Sequence, residues 1–280
     1  MEQYQLWKSM IRQGLEVPFG AEFYVKFYQA FIENDRWVQY LDGVGTTLLV
    51  TAMALGIGIV LGVLVAVVRT AHDQQRPVLL SNTKRLGFLL RKLRGQVGDG
   101  EKPRFRNPIL GFLNWFCKIY VTVIRGTPMM VQLLIMGMVI FSSSRDFTSV
   151  GALTLGINSG AYVAEIIRGG LMALDPGQAE AGRSLGLNYI DTMRFIVIPQ
   201  AFKAILPSLG NEFIILLKDT SLITVIGGKE LVYAAQGVYG RTYEQMYPLV
   251  GIACIYLGLV IIFTWLLGIL ERRLRQSDRR

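Results

Sequence analysis

The sequence has few of the side chains from which metal sites and nucleophilic active sites are built. Its 280 residues include one histidine, His72, and two cysteines, Cys117 and Cys254. A single histidine has no second imidazole with which to share a metal ion, and neither cysteine is near it in the sequence. Two cysteines in apolar surroundings also do not indicate a disulfide framework. We therefore expect no metal site, and we interpret both cysteines as small hydrophobic side chains of a packed interior.

Motifs of nucleotide hydrolysis and of metalloproteases are missing too. The phosphate-binding loop follows the pattern Gly-x-x-x-x-Gly-Lys-Ser/Thr, and the zinc motif reads His-Glu-x-x-His. The string Gly227-Gly228-Lys229 lacks both the upstream glycine and the hydroxyl residue of the phosphate loop. We therefore expect that the chain is not an enzyme, that it binds no cofactor, and that it cannot hydrolyse ATP alone.

Charge is absent from long stretches of the chain. Residues 43–68 contain no charged side chain, and as a helix they would extend about 39 Å, which exceeds the roughly 30 Å of a bilayer's hydrocarbon core. The segment begins too late for a signal peptide, and its basic residues follow it rather than precede it. With 52% hydrophobic residues and a mean hydropathy of +0.40, the chain is predicted to be an integral membrane protein.

The net charge of +9 is unevenly distributed. Residues 1–42 hold four Lys/Arg and six Asp/Glu, residues 69–108 hold ten and three, and residues 271–280 hold five and two. Basic residues of short loops collect in the cytoplasm. The surplus thus indicates orientation rather than a nucleic-acid partner, with the N-terminus outside and the C-terminus in the cytoplasm. Ends on opposite sides require an odd number of spans.

These patterns predict an all-α membrane protein with five transmembrane helices. The predicted spans are residues 43–68, 119–141, 150–172, 201–226 and 247–270. A cytoplasmic loop at 69–118, a second loop at 175–199 and a basic tail at 271–280 complete the domain. Residues 1–42 form a separate segment in which Phe19, Phe23, Phe27 and Phe31 recur every four residues. This spacing is typical of an amphipathic helix at the outer membrane interface, although an aromatic lining for a substrate is an alternative.

Pairs of glycines four residues apart occur in two predicted spans. Gly58 and Gly62 lie in the first span, and Gly156 and Gly160 lie in the third. Small residues at this spacing let helix backbones approach closely in a membrane. We expect both pairs to lie in helix contacts.

Polar side chains at membrane depth are candidates for function because their burial in lipid is costly. They are Glu165, Asn211, Glu212, Lys218 and Asp219. The last four form two pairs with a spacing of seven, which predicts two polar stripes along one helix. The stripes could line a path that meets an ammonium and a carboxylate group, or they could form structural ion pairs. The sequence leaves both interpretations open, whereas Arg125 and Arg168 are expected to extend toward the cytoplasmic surface or brace the bundle.

The loop at 175–199 carries the most specific pattern. Asp175, Pro176 and Gly177 end the third span, because proline cannot continue a helix and glycine tolerates the turn. Glu180 and Ala181 then begin a short helix. We expect Ala181 and Gly182 to leave a low surface on it, and Gly186 to end it.

This loop resembles the "EAA" loop of importer permeases of the ATP-binding-cassette (ABC) class. Glu180, Ala181 and Gly182 stand at the motif's own distance from Gly186, Ile196 and Pro199, although Gly182 and Ile198 replace the usual alanine and leucine. Further strings similar to the polar amino acid branch of these permeases are Arg125-Gly126-Thr127-Pro128 with Gln132, residues 158–170, Pro199-Gln200-Ala201, Leu206-Pro207, Gly210-Asn211 and residues 217–222. The likeness covers about residues 43–270.

The resemblance implies the type I importer permease fold, in the cell membrane, with a function in amino acid import. It implies that Asp175, Gly177, Glu180, Ala181, Gly182 and Gly186 couple the chain to a dimer of ATPase subunits that bind the ATP. A second permease copy or paralogue and an extracytoplasmic amino acid-binding protein are the other implied partners, besides membrane lipid. A secondary transporter and a membrane-embedded enzyme are the alternatives. The first usually needs more spans and inverted repeats, and the second needs convergent catalytic groups.

Overall fold

The computed structural model describes residues 2–74 and 108–277, and every regular element in these two ranges is helical. The α-helices are α1 (Glu2–Arg12), α2 (Phe19–Phe31), α3 (Arg36–Gln74), α4 (Pro108–Gly126), α5 (Met129–Leu134), α6 (Phe147–Met172), α7 (Pro176–Ser184), α8 (Tyr189–Thr192), α9 (Ile198–Asp219), α10 (Leu231–Thr242) and α11 (Met246–Ser277). Short 3₁₀ segments occupy Glu33–Asp35 and Thr220–Ile226, and π-helical turns occupy Ile135–Ile140 and Met193–Val197.

Four helices in the described part of the chain are long and apolar enough to cross a membrane. They are Glu33–Asp73, Pro108–Gly126, Phe147–Met172 and Met246–Leu274. The predicted spans 43–68, 150–172 and 247–270 lie within three of them. The predicted span 201–226 coincides with α9 and its 3₁₀ extension, which carry charged residues and are not among the four. Most of the predicted loop at 69–118 lies outside the described residues.

The predicted helix at 119–141 is wrong in its continuity. The structure begins a helix at Pro108, ends it at Gly126 and begins another at Met129. Pro128 explains the break, since proline lacks the N–H of an interior helical bond and its ring disfavours a helical conformation at the preceding residue. Residues 108–118 are thus helical, although they were predicted to be loop. Two other boundaries also shift: α3 begins before residue 43, and α11 continues past residue 270.

The two glycine pairs lie at the contact between α3 and α6, as predicted. A Cβ atom at Gly62 would lie 2.6 Å from Cγ1 of Val163, and one at Gly156 would lie 2.7 Å from Cβ of Ile57. Gly58 and Gly160 are equally confined by the facing helix. Only glycine permits this separation of the two backbones, so α3 and α6 form a tightly interlocked pair.

Helix α6 lies at the centre of the bundle. In its apolar stretch 61% of the residues are buried, whereas the corresponding fraction is 11% in both α4 and α11. The latter two helices therefore lie at the periphery, with apolar side chains directed outward. The large hydrophobic side chains that α11 exposes include Val250, Leu257, Ile261 and Trp265.

Candidate functional site

One side chain provides hydrogen bonds to the backbone at the break between α4 and α5. An interrupted helix leaves backbone carbonyl groups without their N–H partners, which is tolerated at membrane depth only where other groups satisfy them. Nε2 of Gln132 donates to the carbonyl oxygen of Ile124 at 2.8 Å, and to the carbonyl and hydroxyl oxygens of Thr127 at 3.2 and 2.8 Å. Its Oε1 accepts from Nδ2 of Asn158 at 3.0 Å. Gln132 therefore ties the break to the central helix α6.

A second polar contact, at the next residue along α6, joins α6 to α9. Oγ of Ser159 donates to Oε1 of Glu212 at 2.7 Å, and the Glu212 side chain is buried. A Cβ atom at Gly58 would lie 2.8 Å from Oγ of Ser159, so this glycine leaves the space that the serine fills. Asn158 and Ser159 stand at the midpoint of α6. We call Gln132, Asn158, Ser159 and Glu212 the central polar layer.

Helix α9 has two faces of different character. One exposed stripe consists of Ala204, Ser208, Asn211, Ile215 and Lys218, which recur at alternating intervals of four and three residues, and the exposed Phe202 lies outside it. Its buried stripe consists of Ala201, Ile205, Glu212 and Leu216. The structure separates the four polar residues predicted to form two stripes: Asn211 and Lys218 are exposed, whereas Glu212 is buried and Asp219 is half-buried. Within the described residues no ion pair joins Lys218 to Asp219.

Polar side chains such as those of Ser208, Asn211 and Lys218 are poor partners for lipid. Ala204 and Ser208 lie in the first half of α9, Asn211 lies just past its middle, and Lys218 stands near its end. This stripe therefore favours contact with other protein or with an aqueous path. The sequence pattern had indicated the polarity of this helix, but the structure separates its exposed groups from its buried ones.

Glu165 does not join the central polar layer. It forms an ion pair with Arg69 of α3, and its Oε2 accepts from Nη2 and Nε of Arg168 at 3.0 and 3.2 Å. Six residues separate it from Ser159, which is about 9 Å along a helix. These partners support the structural interpretation for Glu165, whereas the contacts of Arg168 with Glu165 and Met172 lie within α6 itself. Arg125 instead lies over the ring of Tyr162, 5.1 Å from its centroid.

The loop that resembles the EAA motif contains a short helix with a cap at each end. Asp175 is the N-cap of α7, and its Oδ1 accepts from the backbone N–H of Gly177 at 2.9 Å. At the other end Gly186 has φ of +81°, which places it in the left-handed region that favours glycine. The N–H of Gly186 donates to Arg183 and that of Leu187 donates to Gly182, at 3.0 and 3.2 Å. This pair of bonds is the Schellman motif.

The expectation that Gly182 contributes to the outward surface of α7 is wrong. Gly182 is buried, and a Cβ atom there would lie 2.8 Å from Cδ1 of Ile196 and 2.9 Å from Cγ2 of Thr192. It therefore allows α7 to pack against the segment that leads into α9. The exposed surface of α7, α8 and the turn between them includes Glu180, Ala181, Leu185, Tyr189 and Ile190. Leu185 and Ile190 are 80% and 72% exposed, which leaves a bare apolar patch beside the short helix.

One match to an enzyme motif lies in this loop. Residues 182–186 read Gly-Arg-Ser-Leu-Gly, which has the spacing of the nucleophile elbow of hydrolases. That elbow needs a strand before the serine and a helix after it. Here Ser184 is the last residue of α7, and its Oγ donates to the carbonyl oxygen of Glu180 at 3.0 Å. The context is opposite to that of an elbow, so the match is one of spacing alone.

A buried carboxylate that no sequence pattern indicated lies beyond the end of α9. Glu230 is 1% exposed and is the N-cap of α10. It accepts from the backbone N–H groups of Val232 and Tyr233 at 2.7 and 3.1 Å, from the Tyr256 hydroxyl at 2.6 Å and from the Thr224 hydroxyl. It therefore joins the 3₁₀ segment, α10 and α11. Glutamate is not among the favoured N-cap residues, which is why the pattern gave little signal.

Comparisons with known proteins identify the family of this chain and several relatives. Residues 108–276 match the family of binding-protein-dependent transport system inner membrane components. The glutamine transport system permease protein GlnP of Escherichia coli is 36% identical over 205 residues, which cover 71% of this chain and 94% of that protein. The arginine transport system permease protein ArtQ of Bacillus subtilis is 39% identical over 169 residues, which cover 59% of this chain and 76% of that protein.

Solved structures show the same fold. An amino acid ABC transporter crystallised with histidines is 33% identical and has a TM-score of 0.67, over 92% of this chain and 100% of that chain. The inward-facing MetNI methionine ABC transporter has a TM-score of 0.62 over 87% of this chain and 99% of that chain. At 17% identity, the second comparison shows the fold alone.

Broken helices beside polar groups are a feature of substrate sites in membrane transporters. The chain belongs to the family of binding-protein-dependent transport system inner membrane components. It is a multi-pass permease subunit of an ABC importer. The family thereby favours the permease over the two alternatives, a secondary transporter and a membrane-embedded enzyme.

Proposed function

We propose that the chain forms half of the path through which an ABC importer moves an amino acid across the membrane. The names of relatives in two organisms, which refer to glutamine and arginine transport, support an amino acid as the substrate. The observation on which the proposal depends most is the exposed polar stripe of α9. Polar groups there need a partner other than lipid, and a hydrated amino acid has both an ammonium and a carboxylate group to offer.

In this proposal the exposed stripe of α9 faces a second copy of the chain or a paralogue across a shared path. Asn211 would meet the substrate near the middle of the membrane, and Lys218 and Asp219 would meet its carboxylate and ammonium groups nearer the end of α9. Glu212 has a different part, because it is buried and accepts from Ser159. It would hold α9 against α6 and thereby set the position of Asn211.

The proposed topology has five spans with the N-terminus outside and the C-terminus in the cytoplasm. The spans would be α3, α4 with α5 and its π-helical end, α6, α9 with its 3₁₀ end, and α11. The charge distribution supports this order, since residues 69–108 and the tail carry most of the basic surplus. The loop with α7 then lies in the cytoplasm, where a dimer of ATPase subunits can reach it. An extracytoplasmic binding protein would deliver the amino acid at the other end.

The route by which α7 would drive α9 rests on two contacts. Gly182 packs against Ile196, and Nε2 of Gln200 donates to Oε1 of Gln178 at 3.1 Å. Both contacts join α7 to the segment that continues as α9. A force from the ATPase on the exposed side of α7, at Glu180, Ala181 and Leu185, would therefore reach the stripe through packed residues. The short helix would stay intact under that force because both of its ends are capped, by the bond between Asp175 and Gly177 at the start and by Gly186 at the end.

The test is uptake by proteoliposomes that contain the permease, its ATPase subunits and the binding protein. Asn211→Leu replaces the polar amide of the stripe by two methyl groups on a side chain with the same branching, and we expect it to lower the initial rate of ATP-dependent glutamine or arginine uptake at least tenfold. Ile215→Leu, four residues along the same stripe, is the matched control and should retain uptake. Unchanged uptake with Asn211→Leu would contradict the proposed path. ATP-dependent uptake that is absent from the unmodified complex for every amino acid tried would contradict the substrate class.

A further inference from the structure

The N-terminal hairpin of α1 and α2 lies outside the residues that match the family. Its two helices expose faces of opposite character. The exposed residues of α1 are mostly polar and comprise Glu2, Gln3, Gln5, Leu6, Ser9 and Arg12. Those of α2 are Phe19, Gly20, Phe23, Tyr24 and Phe27, without a single charge. Phe19, Phe23 and Phe27 are 84%, 50% and 41% exposed, so the predicted aromatic stripe is bare in the isolated chain.

Helix α2 is packed against the first turns of two long helices. The ring of Phe23 meets that of Tyr247 at 5.7 Å near the start of α11, and the ring of Phe31 meets that of Tyr40 at 5.3 Å near the start of α3. The Phe31 ring also lies directly over Gly251, where any Cβ atom would overlap it. Since α3 and α11 are long enough to span the membrane, contacts with their first turns place α2 at one membrane surface.

Several contacts hold the hairpin in this position. Nζ of Lys26 lies 2.9 Å from Oε1 of Glu22 and 3.0 Å from Oε2 of Glu244, in the connection between α10 and α11. Lys8 of α1 forms an ion pair with Glu33, and the ring of Tyr4 packs on that of Tyr28 at 4.6 Å. These contacts join α1 to α2 and both to the bundle. The aromatic stripe therefore has a fixed orientation relative to the spans.

The stripe is continuous with surface that faces lipid. Beyond Tyr247 the peripheral helix α11 exposes Leu249, Val250 and Leu257, and the start of α3 exposes Trp37. Aromatic side chains are enriched where a membrane meets water, because their rings are apolar and Tyr and Trp also carry a polar group. We infer that α2 is an interfacial helix that inserts Phe19, Phe23 and Phe27 among lipid acyl chains, while α1 lies above it in water.

A protein partner would be a less suitable cover for this stripe. A binding protein visits a transporter transiently, so an apolar face reserved for it would stand bare in water between visits, which soluble surfaces avoid. Lipid covers the face permanently and needs no complementary shape. The polar face of α1 fits the same arrangement, since it is the side of the hairpin that points away from α2.

The test measures how deep single positions lie in a bilayer. Cys117→Ser and Cys254→Ser remove the native thiols of the full chain, and spin labels are then attached after Phe19→Cys, Phe23→Cys or Phe27→Cys in separate variants. The complex with its ATPase subunits is reconstituted into liposomes of phosphatidylethanolamine and phosphatidylglycerol. Electron paramagnetic resonance then compares collisions of each label with oxygen, which concentrates in lipid, and with a water-soluble nickel chelate. Ser9→Cys on α1 is the aqueous reference, and Leu257→Cys on α11 is the lipid reference.

We expect labels at the three α2 positions to favour oxygen over the nickel chelate severalfold more than the label at position 9 does. Their depth should be smaller than that at position 257. Collisions with the nickel chelate as frequent as at position 9 would overturn the inference, because the stripe would then lie in water. Low accessibility to both reagents would also overturn it, because the stripe would then be covered by a second copy or by another protein.

Discussion

The contact between α3 and α6 and the surface of α9 are built in opposite ways. The first is interlocked: Gly62 and Gly156 each leave just the space that a side chain of the facing helix fills. The second is loosely built, since α9 follows a π-helical turn, contains Pro207, runs into a 3₁₀ segment and leaves one face open. An alternating-access cycle needs a frame that keeps its shape and an element that can shift. We therefore expect substitutions at the contact between α3 and α6 to lower stability, and substitutions on the surface of α9 to lower transport.

The largest effect is expected at the close contact between α3 and α6, which we call the frame. Gly62→Leu would force side-chain atoms into Val163 and the backbone of Ala164, and overpacking of this kind costs about 1–3 kcal/mol or more. We expect a large loss of folded, detergent-extracted protein and a lowered melting temperature. The control is Gly56→Leu, six residues earlier on the same helix, where an added Cβ meets nothing within 4 Å. Equal melting temperatures for the two variants would mean that the α3–α6 contact is not a fixed frame.

The next effect concerns the buried carboxylate beyond α9. Glu230→Ala would leave the hydroxyl donors of Thr224 and Tyr256 and two backbone N–H groups of α10 without their acceptor, at a cost of about 1–3 kcal/mol. Thermal denaturation should show this as a lower melting temperature. Tyr256→Phe removes only one of the donors and should cost about 1 kcal/mol. A melting temperature lower in Tyr256→Phe than in Glu230→Ala would contradict the role of Glu230 as the acceptor that joins these elements.

The third effect should appear in transport and leave stability unchanged. If Asp219 meets the ammonium group of a substrate, Asp219→Asn removes a charged contact of about 2 kcal/mol, which is roughly thirtyfold in apparent affinity. The measurement is the substrate concentration at half-maximal uptake, with the melting temperature of the same purified complex beside it. Asp42→Asn, at an exposed aspartate of α3, is the control. A lowered melting temperature with normal uptake would instead identify Asp219 as a structural charge.

The sequence indicates most of the frame and less of the site. Runs without charge predict α3, α6 and α11, because hydropathy and length are local properties of the chain. Glycine spacing likewise predicts the contact surface of α3 with α6. The break at Pro128 could have been read from the proline itself, but the apolar run on both sides of it suggested one continuous helix.

What could not be predicted is the direction of side chains across the fold. Gly182 was expected to face outward, yet it packs against Ile196, a residue fourteen positions later whose location depends on the turn between them. Glu165 pairs with Arg69 of α3, which lies 96 residues earlier in the sequence. Glu230 gave no signal because its donors Thr224 and Tyr256 come from different elements. Sequence spacing describes one helix at a time, whereas these roles arise between helices.

The smallest effect is expected at the N-terminus of the frame helix α6. Asp146 caps this helix by accepting from the backbone N–H groups of Thr148 and Ser149 at 3.0 and 3.2 Å. The bond from the Ser149 hydroxyl is the main reason that the pKa of the Asp146 carboxyl lies below its usual value. A carboxyl whose pKa is lowered by folding stabilises the folded state above the unfolded pKa, and this contribution is lost as the pH falls through the folded value.

Asp146→Ala should therefore cost about 1 kcal/mol at neutral pH, and less as the pH falls below about 4. Asp146→Asn is the matched control, because asparagine caps a helix about as well as aspartate does but does not titrate. The stability of this variant should differ little from that of the parent chain at pH 7 and exceed it at low pH. Melting temperatures of the three proteins between pH 7 and pH 3 check the prediction, with uptake at pH 7 as the second measurement. Uptake should be equal in all three, because Asp146 belongs to the frame and the path depends on α9. A pH-independent difference between the parent and Asp146→Ala would show that the cap acts through its shape and not through its charge.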